Sequence, residues 1–126
     1  MEEFLPFKAG IDAGSDMVML GHLIVPELGE EPILFSHELV TGILREELGF
    51  EGVIITDALD MAAVSQLYSP EEIAVRAISA GVDVLLCPMS IPRTVSALEN
   101  AVYLGQLSEE RIDESVRRIL MCKYKH

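Results

Sequence analysis

GFEGVIITDALDM, residues 49–61, sets a nearly unbroken apolar run directly in front of a carboxylate. Val53, Ile54 and Ile55 are all β-branched and follow Gly52. That is the composition of a strand covered on both faces, as in a parallel sheet under helices. Asp57 then stands at the carboxyl end of the strand. In α/β folds ligands bind at that end, because the βα loops gather there and the following helices point their N-termini at the ligand. The same position also suits an N-cap for a helix starting near Ala58, since Asp is a good cap. Position alone leaves both readings open.

Outward from this strand the chain alternates helix and strand. On its N-terminal side, FLPFKAGIDAG leads into the strand SDMVML, a loop rich in Pro and Gly follows (GHLIVPELGEEPI), and SHELVTGILREELGF reads as a helix with Leu39, Ile43, Leu44 and Leu48 on one face. On its C-terminal side come ALDMAAVSQLY and then SPEEIAVRAISAG. The latter opens with Ser69 as N-cap, Pro70 at the first helical position and Glu72 three residues after the cap, a strong helix start. VDVLLCP, residues 82–88, is expected to be a third strand, and IPRTVSALENAVYLGQ and SEERIDESVRRILMCKYK are the closing helices.

An internal repeat supports this division. IDAGSDMVML (11–20) and ISAGVDVLLC (78–87) share Ile-x-Ala-Gly-x-Asp followed by four apolar residues. Gly14 and Gly81 are expected to be left-handed helix C-caps. Asp16 and Asp83 then fall at strand starts, at the end opposite Asp57, in a structural role satisfying nearby amides.

The 126 residues suffice for one domain with a real core, and 50% hydrophobic residues without low complexity argue for a globular chain. With 21 acidic against 9 basic residues the formal charge is −12. Nucleic acid and anionic membrane surfaces both require a basic patch, so neither is expected as a partner. Cys87 and Cys122 lie far apart with no Cys/His cluster, and no phosphate-binding Gly-rich loop is present, so no metal and no cofactor is expected. The start, MEEFLPFKAG, is acidic where a signal peptide is basic, and no run approaches a membrane span. A cytoplasmic chain is the expectation, with any export of a parent protein resting on a signal outside this sequence.

Three βα units are less than half of an eight-stranded barrel, which takes about 250 residues. They also leave parallel strands with open edges. The expected fold class is therefore α/β, about three parallel strands with helices, in the manner of a portion of a larger sheet.

LREELGFEGVIITDALDM (44–61) resembles the nucleophile segment of glycoside hydrolase family 3, most closely its β-N-acetylglucosaminidase branch, where Gly-Phe-x-Gly-Val-Ile-x-[Ser/Thr]-Asp-x-Leu-x-Met recurs. The flanks PFKAGIDAGSDMVMLGHLIVP, AISAGVDVLLCP and LSEERIDESVRRILMCK are similar to the family's neighbouring strands and closing helix. The resemblance implies that residues 1–126 are part of the catalytic domain, the C-terminal portion of a (β/α)8 TIM barrel whose front half is absent. It implies retaining hydrolysis of terminal β-N-acetylglucosaminides through a covalent glycosyl-enzyme, with Asp57 as nucleophile and a terminal N-acetylglucosamine residue as the carbohydrate ligand.

Departures from the family pattern matter as much. The branch carries its acid/base His on a Lys-His-Phe-Pro-Gly-His-like string, which this chain lacks. A non-catalytic fragment serving a structural or oligomerising role is thus a second expectation. Family-3 β-glucosidases commonly follow the nucleophile with a Trp, and this chain has none, so a β-glucosidase fragment is the weaker alternative. His22, after the first strand, is either a sugar contact on the rim of Asp57 or a structural His bonding loop backbone. Met61, the last motif position, is either a substrate-side residue or core packing. Asp60 is read as a solvated or capping residue, Thr56 as a packing or backbone-bonding hydroxyl, and His37 and His126 as solvent-facing. Uncovered sheet faces lead to the expectation of a homo-oligomer or of association with a missing barrel half.

Overall fold

The computed structural model describes residues 5–21, 24, 29–60 and 62–125. Their order is α1 (Leu5–Asp12), β1 (Met17–Leu20), a 3-10 turn (Ile33–Phe35), a π-helix (Glu38–Glu47), β2 (Val53–Thr56), α2 (Ala62–Ser65), α3 (Pro70–Ala80), α4 (Ile91–Tyr103) and α5 (Glu109–Lys125). β1 and β2 are parallel, with Met17 opposite Val53 and Leu20 opposite Thr56. Parallel neighbours need a crossover, and here it contains the 3-10 turn and the π-helix.

The helix expected over 36–50 forms, but with wider winding. Leu48 N–H reaches back five residues to Ile43 C=O at 2.8 Å, and Ser36 Oγ accepts from Leu39 N–H at 3.1 Å at the opening turn. Val40 is buried along with Leu39, Ile43 and Leu44, and Leu48 is partly buried against the same core. The start of α3 is as expected, with Ser69 Oγ accepting from Glu72 N–H at 3.1 Å.

The repeat is a repeated helix stop. Gly14 has φ +96° and Gly81 φ +121°. Ser15 N–H bonds Gly10 C=O and Gly14 N–H bonds Ile11 C=O, while Val82 N–H bonds Ala77 C=O and Gly81 N–H bonds Ile78 C=O. Both closures cap orphan carbonyls before the chain turns into the sheet. At Gly81 a Cβ would lie 2.6 Å from Thr41 Oγ1, the hydroxyl that donates to Ala80 C=O at 2.8 Å and ties the π-helix to the end of α3.

The expectation of three strands needs correction. Residues 82–88 do not form a third strand; one parallel bridge, Ile55 to Val84, marks where it runs beside β2. The ladder starts regularly, Val84 N–H to Ile54 C=O at 3.1 Å and Thr56 N–H to Val84 C=O at 3.1 Å. The next rung goes elsewhere: Leu86 N–H donates to the Thr56 hydroxyl at 3.1 Å, and Leu86 C=O accepts from Leu59 N–H at 2.9 Å. A side-chain oxygen thus takes the bond a strand carbonyl receives in a regular ladder.

The main core joins β1, β2, the 3-10 turn, the π-helix and α3, centred on Leu34, Val40, Ile54 and Val64. A smaller cluster, Ile78, Ala101 and Leu107, holds α3, α4 and α5 together. One face of β1 is uncovered: Val18 and Leu20 are buried, while Met17 and Met19 are 46% and 52% exposed. A folded chain of 13.9 kDa has about 6,700 Å² of accessible surface by the size scaling, and this one has 7511 Å². Among the described residues no helix is long and apolar enough to cross a membrane.

Candidate active site

Asp57 sits where β2 ends. Its own N–H still donates to Leu20 C=O at 2.8 Å, one rung beyond the strand, so the residue is tied to β1. On its other side Thr56 and Leu59 are tied to the 84–86 segment by the bonds just described. Leu59 is buried and anchors the turn. The backbone around Asp57 is therefore held from two neighbouring segments of the sheet.

The carboxylate is partly buried, with Oδ1 accepting from Ala58 N–H at 2.8 Å. Oδ2 has no hydrogen bond among the described residues. One oxygen is thus oriented by the turn. The helix-cap reading does not hold: the next helix, α2, begins at Ala62, and the amide that Asp57 satisfies is that of the following residue in the turn.

Thr56 is fully buried and uses its hydroxyl as the acceptor for Leu86 N–H, as its reading as a backbone-bonding group anticipates. Replacing it by Val keeps the shape and orphans a backbone donor. We expect Thr56→Val to cost about 1–3 kcal/mol in urea unfolding, the penalty of an unsatisfied buried group, and Thr56→Ser to recover most of it. Equal stability of the two variants would show that this bond does not anchor the turn.

Asp60 and His37 are exposed, as expected. His22 and Met61, the two expected substrate-side residues, and His126 lie outside the described residues. Among the described residues no group of three or more His, Cys, Asp or Glu is arranged to hold a metal ion.

At the opposite end of the sheet lies a cluster that motif reading missed. Asp83 has a side chain with no exposure. Its Oδ2 accepts from Arg45 at 2.6 Å and from Ile54 N–H at 3.0 Å, and its Oδ1 accepts from Ser115 Oγ at 2.6 Å and Arg118 at 3.0 Å. Arg111 stands 4.0 Å from the same oxygen and donates to Ile78 and Val82 carbonyls. Burial lowers the proton affinity of Arg45 and of Arg111, and the Asp83 charge opposes this in both. Asp16, the matching residue of the repeat, instead meets the exposed Lys125 at 2.9 Å. The cluster pins the π-helix, β2 and α5 to one carboxylate and lies far from the rim of Asp57, so its work is cohesion. The signal available in sequence was the Asp of the repeat together with Ser115, a small polar residue within an otherwise charged and apolar helix.

Comparison with known proteins bears on the rim. Residues 1–122 match the model of the glycosyl hydrolase family 3 N terminal domain. The chain is 32% identical to a β-hexosaminidase A of Pseudoalteromonas piscicida over 98% of its own length and 24% of the relative's. It is 29% identical to a β-N-acetylglucosaminidase/β-glucosidase of Cellulomonas fimi over 93% of its length and 23% of that protein's. Among solved structures it superposes on a family 3 β-N-acetylglucosaminidase from a Paenibacillus species with a TM-score of 0.87 and 41% identity, over 97% of this chain and 24% of that one. The chain thus spans about a quarter of the length of the proteins it matches.

Proposed function

We propose, because this chain belongs to glycosyl hydrolase family 3, a barrel-like α/β family of glycoside hydrolases, that it is the C-terminal portion of a (β/α)8 barrel whose Asp57 is the nucleophile of a retaining β-N-acetylhexosaminidase. The observation that carries this reading is the setting of Asp57: a carboxylate at the carboxyl end of a buried parallel strand, with its backbone held on both sides and one oxygen oriented by Ala58 N–H.

The chemistry follows from that setting. A carboxylate oxygen of Asp57 attacks the anomeric carbon, forming a C1–O bond as the bond to the leaving oxygen breaks. A proton donor about 5 Å away on the other side of the bond protonates the leaving oxygen. Water then attacks C1, its proton passing to the same group, and Asp57 departs as carboxylate. The fixed turn keeps the nucleophile in one geometry, so little ordering is left for the reaction itself. The string that carries the acid/base His in this branch is not found in the sequence, which supports reading the 126-residue chain alone as a poor catalyst for natural glycosides.

Support for N-acetylglucosamine as the sugar comes from the relatives' names and from the absence of a Trp after Asp57. The Cellulomonas relative, whose name joins two activities, favours β-glucosides as a second reading. A dinitrophenyl leaving group needs little protonation, so it tests the nucleophile without its acid. We expect the chain to release dinitrophenolate from the β-N-acetylglucosaminide faster than from the β-glucoside. Preference for the glucoside would support the second reading, and release from neither would support a non-catalytic, structural role.

A further inference from the structure

Arg76 of α3 gathers four partners from three stretches of the chain. Its guanidinium pairs with the Glu31 carboxylate and reaches Glu72, one turn back on α3, at 3.4 Å. It also lies over two rings, 4.4 Å from the centroid of Phe35 and 5.6 Å from that of Tyr68. Those rings meet edge to face with centroids 4.9 Å apart, and both pack against the main core, which gives the cage a fixed floor. A planar guanidinium stacked on aromatic faces between two carboxylates is held in one orientation, as a lone surface ion pair is not.

Two of the four partners, Glu31 and Phe35, belong to the leg of chain that runs from the β1 loop into the 3-10 turn. That loop is tied at two other points. Leu20 C=O accepts from Asp57 N–H, so the chain leaves β1 beside Asp57. Ile24 then forms an antiparallel bridge with Pro32, the residue next to Glu31. Ile24 is four residues beyond Leu20, and four residues span at most about 14 Å when fully extended. The cage thus holds the neighbour of Pro32, and Pro32 stands against chain that is close to the rim. We propose that Arg76 is a positioning residue: it fixes the Glu31–Phe35 leg and, through the bridge to Ile24, the sugar-binding rim beside Asp57. This rests on the proposed function. The backbone of Asp57 itself is held by Leu20 and by the 84–86 segment, through bonds that do not involve Arg76. Loosening the cage therefore leaves the nucleophile in place and disturbs what binds the sugar next to it.

Arg76→Met keeps an apolar stem over the rings and removes the charge. Two measurements on the full chain test it: hydrogen exchange read by mass spectrometry, and release of dinitrophenolate from the β-N-acetylglucosaminide. The amides of Phe35 and Ser36, bonded to the Pro32 and Ile33 carbonyls, should exchange about fivefold faster or more in Arg76→Met than in the parent. KM should rise about fivefold while kcat stays within about twofold, since uniform binding is lost and the nucleophile is not. Glu31→Gln should move both readouts in the same direction. Arg93→Met, which breaks the exposed pair with Glu71 between α4 and α3, should move neither. A purely structural role would lower kcat with the folded fraction and leave KM alone. Unchanged exchange in Arg76→Met would overturn the clamp, and faster exchange with unchanged KM would overturn the positioning role. A parent that releases no dinitrophenolate would overturn that role together with the hydrolase reading, a failure told from the other two by the inactive parent.

Discussion

Asp83→Ala should abolish or nearly abolish cooperative folding. The carboxylate has no exposed side-chain surface, and the arginines around it are only 11% (Arg45), 16% (Arg111) and 25% (Arg118) exposed. With Asp83 present, one negative charge and its hydrogen bonds compensate guanidinium groups that burial destabilises. Without it, three like charges share a largely dry space. Breaking a buried ion pair by removing one partner costs about 3–5 kcal/mol, and the whole stability of a domain is about 5–15 kcal/mol. The loss extends to the Ser115 hydroxyl and Ile54 N–H, which donate to the same carboxylate. Urea unfolding followed by circular dichroism measures the effect. Lys125→Ala offers a contrast, since Lys125, which meets Asp16, is 63% exposed and its loss should move the midpoint little. Equal midpoints for Asp83→Ala and the parent would mean that the cluster does not hold the sheet to α5.

Asp57→Ala should do the reverse, sparing the fold and removing the chemistry. Among the described residues the side chain of Asp57 makes one hydrogen bond, to the next residue's amide in a partly buried turn, so its loss should cost about 1 kcal/mol. On the proposed function, removing Asp57 eliminates the covalent intermediate. By analogy with other covalent enzymes this lowers turnover about 10⁴- to 10⁶-fold, and release of dinitrophenolate should fall to the buffer rate. On the proposed function the two aspartates, one at each end of the sheet, separate stability from catalysis. Loss of folding in Asp57→Ala, or residual turnover near that of the parent, would contradict this assignment.

What was legible in the sequence is what local chemistry decides. Ser69, Pro70 and Glu72 announce α3, because a cap and a fixed φ act within one turn. The paired Gly-x-Asp segments announce helix stops, because only a left-handed residue closes them easily. Asp57 could be singled out because a β-branched run ending in a carboxylate is uncommon and matches a family string. Illegible were features decided at a distance. Five residues spread from Arg45 to Arg118 assemble around Asp83, and no short window contains them. The apolar run Val82 to Leu86 reads as a strand by composition, yet one buried hydroxyl on β2 diverts its ladder.

On the proposed function Asp57 is a nucleophile held ready by the sheet. A fluorinated N-acetylglucosaminyl donor with an activated leaving group forms the glycosyl-enzyme quickly and releases it slowly, so the intermediate accumulates for mass spectrometry. The chain should gain one sugar mass, and peptide mapping should place it on Asp57, with Asp57→Ala unlabelled under the same conditions. Labelling of another carboxylate, or a chain that stays unlabelled while folded by circular dichroism, would contradict the account.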